Sequence, residues 1–179
     1  MKLSGGCLLV VFLAVFSAFG QDDRTGPIIA DFGPYWEIPE ATYETDRSQR
    51  FHVVFDVMQS PEDKKQVNPW IETAARFLNM HAQDGVAKSQ MKVALVVHNQ
   101  ASTDLLDDSH YKARFGIPNP NSKLLRQLME TGVDVVFCGQ SSIARKVPIE
   151  NTVEGIQLSL SAMTALIQFQ NQGYRLIKF

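Results

Sequence analysis

A thiol and an imidazole are the side chains whose types and positions in this sequence point to chemistry. Cys138 directly follows an apolar run at residues 133–137. His98 directly follows another apolar run, at residues 91–97. Runs of this kind are typical of strands buried on both faces of a sheet. A cysteine and a histidine at two strand ends are suited to nucleophilic chemistry, because a thiolate attacks and a nearby imidazole can take up a proton.

The N-terminal segment predicts a secretory signal peptide. Lys2 supplies the positive start, residues 8–16 the apolar core, and residues 18–20 the small-residue cleavage site. We therefore expect the mature protein to begin at Gln21 and to be periplasmic or secreted. The other apolar runs are shorter than the ~20 residues that a membrane-spanning helix needs, so no membrane partner is expected after cleavage.

The cysteine count bears directly on Cys138. The chain has two cysteines, and Cys7 lies in the predicted signal peptide. In an oxidising compartment, a cysteine without an intrachain partner is buried and inert, paired between chains, or reactive. Free cysteines are often buried as small apolar residues, whereas the N–H groups of a helical turn at residues 141–146 would favour the thiolate. The sequence leaves these possibilities open.

Residues 101–120 are predicted to form a short helix and a turn that cover the site as a lid. Tyr111 and Asn119 carry hydrogen-bond donors and acceptors there, although asparagine is also an ordinary turn residue. Together with the polar groups that follow the two strands, they make up the predicted ligand-binding set: Asn99, Tyr111, Asn119, Gly139, Gln140 and Ser141.

Strands and helices alternate from residue 51 onward. A strand at residues 51–58 is followed by a helix that Asn68 caps and Pro69 begins. The later predicted elements are a helix from Asn121 or Ser122 to Gly132, a long helix through Ile156, Leu160, Met163 and Ile167 to Gly173, and a strand at residues 174–179. This alternation predicts an α/β domain whose mostly parallel sheet, of about five strands, is covered by helices on both faces.

The chain is thus predicted to have three parts: the signal peptide at residues 1–20, an extended arm at residues 21–50, and the α/β domain at residues 51–179. The arm contains Gly-Pro breaks but also Ile28, Ile29 and Trp36, which are too apolar for a free tail. We expect it to dock on the domain or on a neighbouring subunit.

Composition and motifs argue against several classes of function. The 17 basic and 19 acidic residues are interspersed and give a net charge of −2, whereas a nucleic-acid surface needs clustered cations. His52, His81 and His110 have no metal-ligand spacing with His98, and the chain has no Cys-x-x-Cys pair. Glycine-rich phosphate loops are also missing after the strands. We therefore expect neither nucleic acid, metal nor cofactor.

The sequence from Val133 to Ser141, the segment 161–166 and the pair Gly173-Tyr174 resemble the DsrE/DsrF-like family. Residues 93–98, Tyr111 and residues 119–121 are similar to that family as well, so the resemblance covers roughly residues 51–179. It implies a three-layer, flavodoxin-like fold, assembly into homo-oligomers of three or six subunits, and a cysteine that carries sulfur as a persulfide. Cys138 matches that cysteine. The arm looks like that of an exported subgroup.

Two functions follow from these observations, and whether the protein is an enzyme stays open. In the first, Cys138 takes sulfane sulfur from an unknown donor and passes it to an unknown acceptor, with His98 and the amides after Cys138 steadying the thiolate. In the second, the domain is a non-enzymatic, oligomeric module that binds a small ligand or a protein, and its cysteine is buried and inert.

Overall fold

The computed structural model describes residues 24–179. The predicted signal peptide lies outside the described residues. Among those that are described, no helix has both the length and the apolar character needed to cross a membrane.

Five parallel strands form one sheet in the order β4-β3-β2-β1-β5. The strands are β1 (Phe51–Val57), β2 (Met91–Val97), β3 (Asp134–Cys138), β4 (Gln157–Ser159) and β5 (Arg175–Lys178). Their Val-rich sequences suit a sheet that is covered on both faces. The prediction of an α/β domain with a mostly parallel sheet of about five strands is confirmed.

Helices cover both faces of this sheet. The α-helices within residues 24–179 are α1 (Pro69–Gln83), α2 (Asp108–Phe115), α3 (Ser122–Glu130), α4 (Gly139–Arg145) and α5 (Ala162–Asn171). Three short 3₁₀ segments lie at Lys88–Gln90, Asn99–Leu105 and Ile149–Asn151. Odd-numbered strand residues such as Leu95 pack with α1 and α3, whereas even-numbered ones such as Val96 pack with α5. Side chains alternate between the two faces of a strand, so residue parity decides which layer each one joins.

Local signals fix the start of α1 as the sequence predicts. The side chain of Asn68 accepts hydrogen bonds from the N–H groups of Trp70 at 2.9 Å and Ile71 at 3.3 Å. Pro69 occupies the first position of the helix, where its missing N–H costs nothing.

The predicted long helix through Ile156, Leu160, Met163 and Ile167 is wrong. Residues 157–159 instead pair with β3 as strand β4, and α5 begins after Ser161, whose hydroxyl accepts a hydrogen bond from Thr164 N at 3.1 Å. Leu160, Met163 and Ile167 are exposed. Their helical spacing therefore describes an exposed apolar stripe, and Ser161 is the N-cap at which α5 begins.

The predicted lid is also wrong in its first half. Residues 101–106 are buried, and Leu105 and Leu106 belong to the core beside α1 and α3. The 3₁₀ segment thus extends the core beyond the sheet. The short helix and turn that were predicted to follow are present as α2 and Gly116.

The arm lies on α1 of its own chain. Asn79, which is fully buried, accepts hydrogen bonds from Ile28 N and Ile29 N and donates to the carbonyls of Ile29 and Phe32. Gly33 approaches α1 so closely that a Cβ there would lie 2.3 Å from the backbone nitrogen of Arg76. One buried amide therefore ties the arm to the domain.

Candidate functional site

Cys138 and His98 are neighbours at the carboxyl edge of the sheet. Val97 of β2 is in register with Phe137 of β3, so the residues that follow each of them continue side by side. His98 keeps extended backbone angles, with φ −154° and ψ −178°. Residues in register on adjacent strands point to the same face, so Cys138 and His98 both lie on the face that α5 covers. Ligands of open α/β sheets bind at this edge.

Opposing effects act on the Cys138 thiol, whose side chain is buried against Val96, Val136 and Ala162. Burial raises the pKa of Cys138, but the N–H and hydroxyl of Ser141 and the N–H groups of Ala162 and Gln140 outweigh it and lower the pKa below its ordinary value. The sulfur accepts no N-cap hydrogen bond of standard geometry. The amides therefore act as oriented dipoles, at the starts of α4 and α5, that favour the thiolate.

Gly139 allows α4 to begin close to the segment that links β4 to α5. A Cβ at this position would lie 2.7 Å from the carbonyl oxygen of Ser159 and 3.3 Å from that of Leu160. Gln140 reaches the same segment, since its side-chain amide donates to the Leu160 carbonyl at 3.3 Å. The predicted residues Gly139 and Gln140 thus hold the two helix starts together around the thiol.

The loop after β2 is bonded to α4. Asn99 N donates to the Ser141 hydroxyl at 3.0 Å, and the Arg145 guanidinium donates to the Asn99 side-chain oxygen. Asn99 has a positive φ of 54°, a conformation that asparagine tolerates better than most residues. The predicted residues Asn99 and Ser141 therefore lie together with Cys138.

An aspartate that the sequence analysis did not select completes the surroundings of His98. Asp56 Oδ1 lies 2.7 Å from His98 Nε2, and Asp56 Oδ2 lies 2.9 Å from Lys178 Nζ. The Asp56 side chain is only 7% exposed. An ionised carboxylate only accepts hydrogen bonds, so His98 Nε2 is the donor and Nδ1 is left as the basic nitrogen of the neutral ring. Asp56 could have been found from the sequence, because it is a carboxylate within the apolar run 51–58.

The side chains of Tyr111 and Asn119 form no hydrogen bonds with the residues around Cys138 and His98. The Tyr111 hydroxyl donates to the Lys64 carbonyl at 2.9 Å, and the Asn119 amide donates to the carbonyls of Asp104 and Leu106. Both side chains are buried. They hold the loops around α2, and their assignment as ligand-binding residues stays a prediction.

No group of three or more His, Cys, Asp or Glu side chains within residues 24–179 is arranged to hold a metal ion.

A five-stranded parallel sheet with a helix layer on each face, and a thiol at its carboxyl edge, defines a flavodoxin-like α/β protein with a cysteine site. Residues 52–179 match the model of the DsrE/DsrF-like family. The chain belongs to that family, so the resemblance seen in the sequence is confirmed. No curated protein matches the chain.

Two solved structures share the fold at low sequence identity. A protein of unknown function, MTH1491 from Methanobacterium thermoautotrophicum, is 16% identical with a TM-score of 0.55, and the match covers 72% of this chain and 99% of that one. The ychN protein from E. coli is 17% identical with a TM-score of 0.52, over 73% of this chain and 99% of that one. These likenesses establish the architecture.

Proposed function

We propose that this protein is a periplasmic sulfur-relay protein that holds sulfane sulfur as a persulfide on Cys138. The observation that carries the proposal is that donors of Gln140, Ser141 and Ala162 lower the pKa of Cys138, the free thiol at the carboxyl edge of the sheet. Membership of the DsrE/DsrF-like family supports a relay function in general. A carrier of this kind needs a thiolate and neither metal nor redox cofactor.

The reaction is a thiol exchange in two halves. The Cys138 thiolate attacks the outer sulfur of a donor R–S–SH; the new S–S bond forms as the old one breaks, and the electron pair leaves with RS⁻. A thiolate of the acceptor then attacks the outer sulfur of Cys138–S–SH and regenerates the Cys138 thiolate. His98 Nδ1 takes the proton when Cys138 starts as a thiol, and Asp56 holds the ring in the tautomer that can do so.

The sulfur must become accessible during this exchange, since Cys138 is 4% exposed. The link between β4 and α5 lies against Gly139 at the start of α4, and Leu160 within it is 73% exposed. We expect this link to move when a donor approaches, because an exposed connection costs less to displace than the strands beneath it.

The same burial favours a second candidate function. In a non-enzymatic binding module, Cys138 would pack with Val96 and Ala162 as a small apolar residue. The two functions differ in whether the thiol of the folded protein reacts.

Intact mass measurement after treatment with polysulfide separates them. The wild-type protein should gain 32 Da per added sulfur atom, whereas Cys138→Ser, which is nearly isosteric, should keep the fold and gain nothing; His98→Ala should slow the uptake by about tenfold or more without abolishing it. Absence of added sulfur, together with resistance of Cys138 to alkylation until the protein is denatured, would establish the binding module instead.

Export and assembly form part of the proposal. We expect protein recovered from its host to begin at or near Gln21, and an intact Met1 in a membrane fraction would contradict export. We also propose a homo-oligomer of three or six subunits, because several apolar side chains of α4, β4 and α5 are exposed: Ile143, Leu158, Leu160, Met163 and Ile167.

A further inference from the structure

A basic pocket of about 320 Å³ lies beyond the carboxyl ends of β1 and β2, next to the last residue of α4. Three cations line it, Lys64, Arg114 and Arg145, against a single exposed carboxylate, Glu62. They come from the segment after β1, the end of α2 and the end of α4. Separate parts of the chain thus bring positive charge to one cavity, which is within the size range of small-molecule sites.

The cations of the basic pocket are held in place by neutral groups. Lys64 Nζ donates to the Ser60 hydroxyl and to the Pro61 carbonyl, both at 2.7 Å. Lys64 and Arg114 also lie 5.9 Å and 5.7 Å from the centroid of the Phe115 ring. These contacts fix the directions of the charged groups. The buried Asp104 carboxylate, which accepts from the Ser60 hydroxyl at 2.9 Å, also attracts Lys64, so Arg114 and Arg145 are the less compensated charges.

The cations of the basic pocket lack salt bridges, as do other described surface cations such as Lys65 and Lys112. Within residues 24–179, none of the three cations forms a salt bridge with a carboxylate, whereas Lys123 and Arg126 pair with Asp31 and Asp108. Arg114 instead donates to the Arg145 carbonyl at 3.3 Å. Converging like charges repel one another, so an anion that enters the pocket gains the attraction of all three.

The basic pocket is connected to the thiol site but lies at some distance from the sulfur. Arg145 donates to Asn99, whose N–H donates to Ser141 beside Cys138. Arg145 is the seventh residue of α4, so it lies about 10 Å along the helix from Cys138 at 1.5 Å per residue. Inorganic polysulfide or thiosulfate is too short to contact both places, but an organic donor with a tail of that length can do so.

We propose that the basic pocket binds the carboxylates of a small organic persulfide, R–S–SH, while its outer sulfur reaches Cys138. This assignment rests on the proposed relay function and names its donor class. The transfer is the first half-reaction given above: RS–SH and the Cys138 thiolate become RS⁻ and Cys138–S–SH, with no net oxidation. Carboxylates bound by arginine form charge-assisted hydrogen bonds, which give the orientation that such a transfer needs.

The experiment separates binding from transfer. Calorimetry uses S-methylglutathione, which has two carboxylates and no reactive sulfur, against the wild-type protein, Arg114→Gln and Lys64→Gln. We expect the dissociation constant to rise by about tenfold in each variant and with added salt. Arg126→Gln removes an exposed arginine outside the pocket and should leave the dissociation constant unchanged. Uptake of sulfur by Cys138 is then measured from glutathione persulfide and from inorganic polysulfide.

Arg114→Gln should slow uptake from glutathione persulfide by about tenfold and change uptake from polysulfide less than twofold. Equal uptake by wild-type and variant from both donors, or failure of S-methylglutathione to bind at millimolar concentration, would overturn the proposal. Binding of a glutamate-rich peptide in place of S-methylglutathione would also overturn it, in favour of a protein partner. If S-methylglutathione binds but neither donor loads Cys138, the relay function fails and the carboxylate site stands.

Discussion

At the scale of single residues, the site is defined by contacts that depend on strand register. Cys138 and His98 were predictable because each ends an apolar run, and runs of this kind end at the same edge of a parallel sheet. The contact of Asp56 with His98 was not predictable, because it follows from the pairing of β1 with β2 and β5. Tyr111 was selected for its polar atom, yet a backbone carbonyl accepts from that atom in the folded chain.

The lowered pKa of Cys138 gives a pH dependence with a defined sign. The rate of alkylation by iodoacetamide should rise with pH through a midpoint below that of an ordinary free thiol. Because the pKa is lower in the folded state than in the unfolded state, the thiolate contributes stability that is complete above the unfolded pKa. That stability is lost as pH falls through the folded pKa.

Quenched time courses of alkylation from pH 6 to 10 measure the midpoint, and thermal unfolding over the same range measures the pH dependence of stability. Ser141→Ala removes one donor and should move the alkylation midpoint upward, and Cys138→Ser should remove the part of the pH-dependent stability that the thiolate contributes. A wild-type midpoint at or above that of glutathione would show that the amides do not act on the sulfur.

Asp56→Asn tests the tautomer of His98. The Lys178 ammonium can only donate and attracts the asparagine oxygen, so we expect that oxygen to turn to the lysine and the NH₂ to face the histidine. His98 Nε2 must then accept and Nδ1 gains the proton, so the ring loses the unprotonated Nδ1 that we propose as the base for Cys138. We expect sulfur uptake to slow by about tenfold and the ¹⁵N signals of the His98 ring to exchange their protonated and unprotonated positions.

The chain contains a matched control for this change in Asp107 and His110, an exposed aspartate-histidine pair on α2. Asp107→Asn should leave both the uptake rate and the His98 signals unchanged. An unchanged His98 tautomer in Asp56→Asn would remove the positioning role.

At the scale of elements, the beginnings of helices were predictable where a capping residue and a proline coincide, as at Asn68 and Pro69. The error in the region of α5 has a physical cause: apolar spacing alone does not tell a core-facing stripe from an exposed one. Met163 and Ile167 have helical spacing but lie on the surface, and the buried contacts come from the small residues Ala162 and Ala165. Strand β4 has three residues, too few to show an alternation.

Gly139→Ala should disturb the junction of α4 with the link before α5. The added Cβ would meet the Ser159 carbonyl at 2.7 Å, so the backbone must shift at a cost of about 1–3 kcal/mol. Moving the start of α4 also changes the direction of its amides, and the alkylation rate of Cys138 should change with it.

Gly116→Ala is the control for the effect of Gly139→Ala on the alkylation rate of Cys138. Gly116 has a positive φ of 79° but open space around the position of a Cβ, so the variant should lose about 1 kcal/mol through strain alone. Its Cys138 should alkylate at the wild-type rate. Equal rates in both glycine variants would exclude a role of the junction in the reactivity of the thiol.

At the scale of the whole molecule, the proposed oligomer depends on the exposed apolar residues of α5 and its neighbours. Met163 and Ile167 are 73% and 57% exposed, and burial of such side chains is the main favourable term in subunit association. The double variant Met163→Glu, Ile167→Glu should reduce the mass measured by light scattering to that of a monomer at micromolar concentration.

Tyr43→Glu introduces a single glutamate at a side chain of the arm that is 96% exposed and should leave the mass unchanged. A monomer mass for the wild-type protein would refute the oligomer altogether.

The pairing of β5 with β1 has a consequence for how the chain folds. Val53 is in register with Arg175, so the two strands meet only after a loop of more than one hundred residues has closed. Contacts this distant in sequence slow folding, because the entropy of closure is lost before the contact forms. Until β5 arrives, one backbone edge of β1 is without a partner and can pair with another unfolded chain. We therefore expect aggregation to compete with refolding until β5 has paired, so the yield of refolded protein should rise on dilution.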